Sequence, residues 1–392
     1  MPCGRPNIRI FGAKKNGDDF FSSLERYIKY GMSNKPNTAP ADDMTTQRRR
    51  EREVKAKIKT GEIVICPCKH CQGCILDRRK SWANRMEMEL PYHDQAWFLT
   101  LTYDNKHVPI NIERGKGIDK NGVLKAPSGE YTTNLTLDYD DLTAFWKRLR
   151  RWTEYHKREY QVYDEKVGMK NKLMYYAGGE YGTKTHRPHY HAIVYSLYID
   201  PKELKVYKKQ KGRVYYTCAW LNQIWGKGFV IIGVAEWNDM AYTAAYCSKK
   251  AYGEAKEKFL DMCIEEEDSR ISTKPSIGWR YYEDHKDEIY QKDSIQLSKG
   301  KRCKPPAYFD KLFDLEHSNS EPLNAETEKD YEALIIKAES DELKEIKRRR
   351  RKIANDALFA QLAQHGYSLQ EHYNNIDTKN QEKFSKLRRD EI

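Results

Sequence analysis

A short segment near the middle of the chain places two histidines one residue apart. It reads Arg187-Pro188-His189-Tyr190-His191-Ala192, and apolar residues continue to Tyr195 as in a β-strand. On a strand, residues i and i+2 point to the same face, about 7 Å apart along the backbone. Two imidazoles so placed can hold one divalent cation, whereas Tyr190 points to the opposite face. The alternative is a chance pair of strand histidines.

An acidic residue stands nine positions before His189, within Gly178-Gly179-Glu180-Tyr181-Gly182. If residues 173–180 and 189–195 pair as a hairpin, Glu180 returns to the histidines and offers a carboxylate. Two histidines and one carboxylate leave open positions for substrate oxygens, as Lewis-acid catalysis on a phosphate requires. The alternative is an ordinary surface residue beside a turn.

Two tyrosines with the spacing of a helical turn form a second candidate group. The segment reads Tyr242-Thr243-Ala244-Ala245-Tyr246-Cys247-Ser248-Lys249-Lys250. On a helix, Tyr242 and Tyr246 project from one face about 6 Å apart, and Lys249 extends that face. A tyrosine oxygen can attack a phosphodiester and form a phosphotyrosine, and a nearby ammonium stabilises the phosphate charge. Among 28 tyrosines, core packing is the alternative for such a pair.

Four cysteines crowd into nine residues, at Cys66, Cys68, Cys71 and Cys74, with His70 among them. This density suggests zinc, and C-x-x-C is the usual local half of a tetrahedral site. The second half is missing unless Cys66, His70, Cys3 or Cys303 folds back to complete it. Reduced structural thiols are the alternative.

The elements that must position these residues can be read from hydrophobic periodicity. Strands are predicted at 97–103, 173–179, 189–195 and 228–234, and helices at 76–90 and 238–251. Hairpin-like connections replace regular βαβ units, which indicates an α+β fold with an antiparallel sheet.

A further helix should begin after Asp138, which can cap it, and bury one apolar face. Its other face is cationic, with Lys147, Arg148, Arg150 and Arg151. These side chains are either simply solvated or positioned to meet nucleic acid.

The whole chain is basic, with 70 Lys and Arg residues against 58 acidic residues and a net charge of +12. This surplus favours a polyanionic partner, because phosphates neutralised on binding release counterions. No apolar run is long enough for a membrane span, and the start lacks a signal-peptide pattern. We therefore expect an intracellular protein.

The chain of 392 residues divides into four predicted regions. Residues 1–60 form a peripheral N-terminal segment, and 61–95 form the cysteine-rich segment and its helix. Residues 96–312 form the domain that carries the histidines and tyrosines. Residues 313–392 form a charged tail, helical or partly disordered.

Together these motifs resemble the HUH endonuclease superfamily. Phe98-Leu99-Thr100-Leu101-Thr102 matches its first strand motif, His189-Tyr190-His191 its metal motif, and Tyr242 to Lys249 its nucleophile motif. Over about 65–310 the chain is similar to the replication initiators of the Microviridae, especially those of the gokushovirus type. Cys68-x-x-Cys71-x-x-Cys74 and Lys274-Pro275-Ser276-Ile277-Gly278 contribute to that likeness.

The resemblance implies a five-stranded antiparallel sheet with flanking helices and a rolling-circle replication initiator. His189 and His191 would coordinate Mg²⁺ or Mn²⁺, with Glu180 as a third ligand. The tyrosines would alternate as nucleophiles that nick single-stranded DNA through a 5′-phosphotyrosine, and Tyr246 is expected to act first. Candidate DNA contacts are Arg187, Lys250, Lys147, Arg148, Arg150 and Arg151.

The same resemblance implies a viral origin as substrate and the bacterial host cytoplasm as the place of action. No P-loop motif is present in the sequence, so strand separation would need a host helicase and synthesis a host polymerase. The alternatives are another HUH nuclease, such as a plasmid initiator or a single-tyrosine transposase, and a non-enzymatic zinc-containing DNA-binding regulator.

Overall fold

In the computed structural model the chain divides into two units. Unit 1 combines Met1–Asp77 with Pro306–Ile392, and unit 2 is Arg78–Pro305. The residues described are 3–11, 13, 18–32, 43–123, 126, 129, 132–156, 163–164, 169–170, 173–246, 254–317 and 340–390, of which 163–164, 169–170, 246, 254–255, 299 and 387–390 are described for their backbone only.

Strands and helices alternate irregularly along the chain. The strands are β1 (Asn7–Ile10), β2 (Phe20–Ser23), β3 (Ile63–Cys66), β4 (Ala96–Tyr103), β5 (Tyr163–Asp164), β6 (Met169–Lys170), β7 (Met174–Tyr181), β8 (Pro188–Tyr195), β9 (Lys205–Gln210), β10 (Arg213–Thr217), β11 (Gly228–Val234), β12 (Ser269–Ile271), β13 (Ile295–Gln296) and β14 (Arg302–Cys303). The helices are α1 (Leu24–Tyr30), α2 (Met44–Thr60), α3 (Gln72–Glu89), α4 (Tyr139–Tyr155), α5 (Ala219–Trp225), α6 (Trp237–Tyr246), α7 (Glu254–Asp261), α8 (Trp279–Lys292), α9 (Ala307–His317), α10 (Asp341–His365) and α11 (Leu369–Asp390). Short 3₁₀ helices occur at Leu90–Tyr92, Pro201–Glu203 and Ser298–Gly300.

Unit 2 is built on one large sheet with the strand order β12-β7-β8-β4-β11-β10-β9. All six pairings are antiparallel, which confirms the α+β prediction. The expectation of five strands is wrong, because the sheet has seven. Two of the strands that were not predicted lack an apolar alternation. Strand β9 is exposed along its whole length, and β12 has only three residues.

The two faces of this sheet have different partners because successive side chains alternate. On one face Leu99 and Leu101 of β4 join a core with α4 and α5, in which Phe145 and Trp225 are fully buried. On the other face Phe98 joins a separate core with α3 and α6. We call this second surface the α6 face.

Helix α4 begins as predicted, since the Asp138 side chain accepts a hydrogen bond from the Asp140 N–H. Its buried residues Leu142, Phe145 and Leu149 recur at helical spacing and pack on the sheet. The amphipathic pattern therefore fixes α4 on the face opposite α6.

Unit 1 contains a three-stranded sheet of order β2-β1-β3 and the long helices α2, α10 and α11. Its core joins Ile8 of β1, Val54 of α2, and Leu358 and Leu362 of α10. Within the described part of the chain, none of the helices is long and apolar enough to cross a membrane.

Candidate metal and tyrosine site

The β7–β8 hairpin brings the acidic residue to the two histidines. Its register pairs Glu180 with His189 and Gly178 with His191. All four residues lie on the α6 face, because Tyr176 and Ile193, which continue the same alternation, belong to the core on that face. Gly178 has no side chain, so the space opposite His191 stays open to the Glu180 carboxylate.

Three candidate ligand atoms converge at this point. The Oε2 atom of Glu180 lies 3.1 Å from Nε2 of His189 and 3.2 Å from Nε2 of His191. Glu180 and His191 are buried, and His189 is half-buried. The three side chains form a group whose ligand atoms all lie within 4.8 Å of one another.

The outer nitrogens of both rings have hydrogen-bond partners that orient them. Nδ1 of His189 lies 3.1 Å from the Arg187 carbonyl oxygen, which can only accept, so Nδ1 carries the proton. Nδ1 of His191 lies 3.1 Å from the Thr100 hydroxyl. The ring of Phe98 stacks on His191 at 5.4 Å between centroids. Such outer contacts fix ring orientation in metal sites and leave Nε2 available as the ligand atom.

Helix α6 carries Tyr242 to the same group. Met240, Ala241 and Ala244 pack on the α6 face, and the Tyr242 phenol donates a hydrogen bond of 3.1 Å to Oε2 of Glu180. Its ring meets that of His191 edge-on, with centroids 4.9 Å apart. The nucleophile motif and the metal motif therefore meet at one carboxylate.

The first turn of α6 is anchored to β10, three strands away from β8 in the sheet. The Arg213 guanidinium of β10 forms two hydrogen bonds of 2.7 Å with the Asp239 carboxylate. Hydrogen bonding and charge attraction from Asp239 hold the pKa of Arg213 above its ordinary value. Asp239 also accepts from the Glu236 N–H, so this ion pair fixes where α6 starts.

The second tyrosine ends the described part of this helix. Tyr246 is the last residue of α6, one turn beyond Tyr242, and its side chain is outside what is described. Lys249 and Lys250 also lie outside the described residues, so their predicted roles stay predictions.

The predicted cationic DNA contacts divide into two places. Lys147, Arg148, Arg150 and Arg151 lie on α4, on the opposite face of the sheet from the histidines. Arg148 donates to the carbonyl oxygens of Ile224 and Trp225 at the end of α5, which is a structural role. Arg187 lies near the site and donates to Tyr103 O and Asn105 Oδ1.

The sequence interpretation missed two features of the α6 face. The first is Thr100, whose contact with His191 could have been inferred from the alternation in Phe98-Leu99-Thr100-Leu101-Thr102. The second is a strip of aromatic and cationic side chains across β11, β10 and β9. Phe229 pairs with Thr102 and therefore lies on this face, and the ring of Tyr207 lies 5.1 Å from the ring of Phe229. The Lys208 ammonium lies over the ring of Tyr215, 5.3 Å from its centroid. Its signal in the sequence was lysines interleaved with tyrosines at 205–216.

In unit 1 the structure groups Cys3, Cys68, Cys71 and Cys74. Cys66 is not a member, because its sulfur lies 3.9 Å from the Val64 carbonyl oxygen in its own strand, and burial raises the pKa of its thiol. Burial also opposes ionisation of Cys71, but hydrogen bonds with the N–H groups of Cys74 and Gly4 and with the Cys68 and Cys3 side chains together outweigh it and lower the pKa of Cys71 to about 7.

Comparison with known proteins identifies relatives of this chain. A family model described as replication-associated protein ORF2/G2P matches residues 96–251. The replication-associated protein ORF2 of Spiroplasma virus 4 is 34% identical over 256 residues, which cover 64% of this chain and 68% of that protein. The replication-associated protein VP4 of Bdellovibrio phage phiMH2K is 25% identical over 296 residues, 75% of this chain and 79% of that protein.

The replication-associated protein ORF4 of Chlamydia phage 1 is 32% identical over 187 residues, 47% of this chain and 38% of that protein. No solved structure matches the chain significantly. The fold and site are those of an α+β protein with a candidate metal centre beside a tyrosine. The chain belongs to the family of phage replication-associated proteins that these relatives represent.

Proposed function

We propose that the protein initiates rolling-circle replication as an HUH endonuclease. It would nick single-stranded DNA at a viral origin, remain attached to the 5′ end through a phosphotyrosine, and rejoin the strand after synthesis. The observation that carries this proposal is the convergence of His189, His191 and Glu180 on one point, with the Tyr242 phenol bonded to the same carboxylate.

The donor set fits a divalent cation. Nε2 of His189 is an acceptor in the neutral ring and faces a carboxylate oxygen at 3.1 Å, an arrangement that needs a cation or a proton between the two atoms. His189, His191 and Glu180 would hold Mg²⁺ or Mn²⁺. When bound, the metal would supply Lewis-acid polarisation of the scissile phosphate.

The tyrosines supply the nucleophile. In cleavage the phenol oxygen bonds to phosphorus, the P–O3′ bond breaks, and a free 3′-hydroxyl is released to prime synthesis. The phosphotyrosine preserves the diester energy, so rejoining by a 3′-hydroxyl needs no further cofactor. We propose that Tyr246 makes the first cut and Tyr242 the second, with Lys249 stabilising phosphate charge.

The α6 face offers a path for the single strand beyond the histidines. Four strand spacings separate β8 from β9, about 19 Å at about 4.8 Å each. Along them, Phe229 and Tyr207 can stack bases, while Lys208 can meet phosphates; Tyr207 is half exposed. Arg187 and Lys250 are the proposed contacts at the site itself, whereas α4 would reach DNA only on the other face.

In this account a host helicase separates the strands and a host polymerase extends the 3′-hydroxyl in the bacterial cytoplasm. The sequence similarity supports the initiator over a single-tyrosine transposase, because the relatives are named as replication-associated proteins.

The first test removes the metal site. EDTA should abolish nicking of single-stranded oligonucleotides tiled over the replicon that encodes the chain, and Mg²⁺ or Mn²⁺ should restore it. His189→Ala and His191→Ala should each abolish cleavage but keep most DNA affinity, since phosphate contacts elsewhere supply binding. Cleavage gels and fluorescence anisotropy measure the two effects.

Its control is His186→Asn, an exposed turn residue at φ +50°, a conformation that asparagine tolerates. This variant should nick at the wild-type rate. Undiminished cleavage by the double histidine variant would remove the proposed metal chemistry.

A further inference from the structure

Four cysteine sulfurs in unit 1 have the spacing of a tetrahedron. The sulfur of Cys3 lies 3.5 Å from that of Cys68 and 3.6 Å from that of Cys71, and Cys68 lies 4.0 Å from Cys74. All four fall within 4.8 Å of one another. Thiolates bound to one Zn²⁺ at about 2.3 Å are separated by about 3.8 Å along each tetrahedral edge. We infer that Cys3, Cys68, Cys71 and Cys74 bind a single structural zinc ion.

The backbone around these sulfurs is arranged to stabilise thiolates. The N–H of Cys68 donates to the Cys3 sulfur and the N–H of Cys71 to the Cys68 sulfur, both at 3.3 Å. Between them Lys69 adopts the left-handed conformation at φ +69°, which is unfavourable for a lysine and turns the chain around the sulfur. Hydrogen bonds to a charged form favour that form.

The local charge also fits a tetrathiolate site, which carries two net negative charges with Zn²⁺. Cys74 lies in the first turn of the 18-residue helix α3 and Cys71 just before it, where the helix dipole favours anions. The Arg5 guanidinium interacts electrostatically with Cys68 and Cys71. No disulfide joins the described cysteines, so the four sulfurs are available together.

Such a zinc ion would stabilise unit 1, which is assembled from two distant parts of the chain. It would join residues 65 positions apart, Cys3 and Cys68. The N-terminal segment is in turn packed on α11, since Arg5 forms a 2.9 Å ion pair with Asp377 and a side chain at Gly4 would collide with the Asp377 backbone. Binding energy at a site absent from the unfolded chain becomes folding energy. The proposed role is therefore structural and independent of the nuclease proposal.

Metal analysis of the full-length protein tests the site. Protein purified under reducing conditions without chelator should contain about one zinc per chain. Cys3→Ser should lose most of that zinc, and Cys3→His, which keeps a zinc-ligating side chain, should retain it. Cys66→Ser is the matched control and should keep a full equivalent, because its sulfur faces Val64.

A measurement on the unaltered protein guards against variants that fail to fold. Alkylation with N-ethylmaleimide, followed by peptide mapping, should be slow at the four ligands and accelerate there after zinc is stripped. Cys66 should react at the same rate with and without metal. The proposal would be overturned if reduced protein bound no zinc even after addition of Zn²⁺, or if Cys66→Ser lost as much zinc as Cys3→Ser. It would also be overturned if the four proposed ligands were alkylated at the same rate with and without metal.

Discussion

The His189-Tyr190-His191 motif points side chains to both faces of β8. Between the two histidines the Tyr190 side chain turns to the α4 side, where it is fully buried and donates to the Asp138 carbonyl oxygen at 2.6 Å. Burial raises the pKa of its phenol well above the ordinary value, and no solvent or substrate reaches it. Tyr190 therefore stabilises the junction of β8 and α4, whereas Tyr242 lies where chemistry is possible.

At the same scale, Thr100 orients a proposed ligand without being one. Thr100→Val keeps the shape but removes the hydroxyl beside Nδ1 of His191. We expect the metal concentration needed for half-maximal nicking to rise about 10–100-fold, with the rate at saturating metal nearly kept. A Mn²⁺ titration of the nicking rate measures both quantities.

Thr102 provides the control on the same strand and face. Its hydroxyl donates to the Phe229 carbonyl oxygen and not to a histidine, so Thr102→Val should leave the metal dependence unchanged. Equal shifts in the two variants would mean that Thr100 acts through the sheet and not through His191.

Among the elements, the β9–β10 hairpin was not predicted from the sequence pattern. It forms the edge of the sheet, and its register pairs Lys208 with Tyr215 and Lys209 with Val214. A register shift leaves Tyr207 as an extra residue on β9 beside Lys208, so its ring reaches Phe229 on the α6 face as well. Elsewhere on the strand, neighbouring residues point to opposite faces. Lys208 therefore belongs to the α6 face with the proposed DNA path, and Lys209 to the other face.

Replacing these two lysines one at a time distinguishes the contributions of the two sheet faces to DNA binding. Lys208→Ala should weaken single-stranded DNA binding and reduce the slope of log K against log salt by about 0.7, because one phosphate contact is lost. Tyr207→Ala should cost about 1–3 kcal/mol if a base stacks there. Anisotropy titrations over a range of salt concentrations measure these effects.

Lys209→Ala removes the same charge one residue away and should leave the salt slope nearly unchanged. If Lys208→Ala and Lys209→Ala weaken binding equally, the hairpin contributes only general positive charge and the path across the α6 face is wrong.

For the molecule as a whole, the sequence was informative where local pattern decides structure. The segments of β4, β7, β8 and β11 alternate or run apolar, so the antiparallel sheet and the meeting of Glu180 with the histidines could be predicted. The exposed strand β9 has no buried face, which is why the number of strands could not. Cys3 is 65 residues from Cys68, and no local pattern reveals such a contact. Unit 1 likewise depends on pairing of the two ends of the chain.

The proposed mechanism requires that a tyrosine of α6 becomes covalently joined to DNA. The most direct measurement is peptide mapping by mass spectrometry after incubation with the cleaved oligonucleotide and Mn²⁺. We predict a nucleotide mass on Tyr246 after the first cut, loss of that adduct in Tyr246→Phe, and impaired second cleavage in Tyr242→Phe. Tyr155→Phe, an exposed tyrosine on α4, should behave as wild type. Attachment only at Tyr242 would reverse the order of use, and attachment at neither tyrosine would contradict the mechanism.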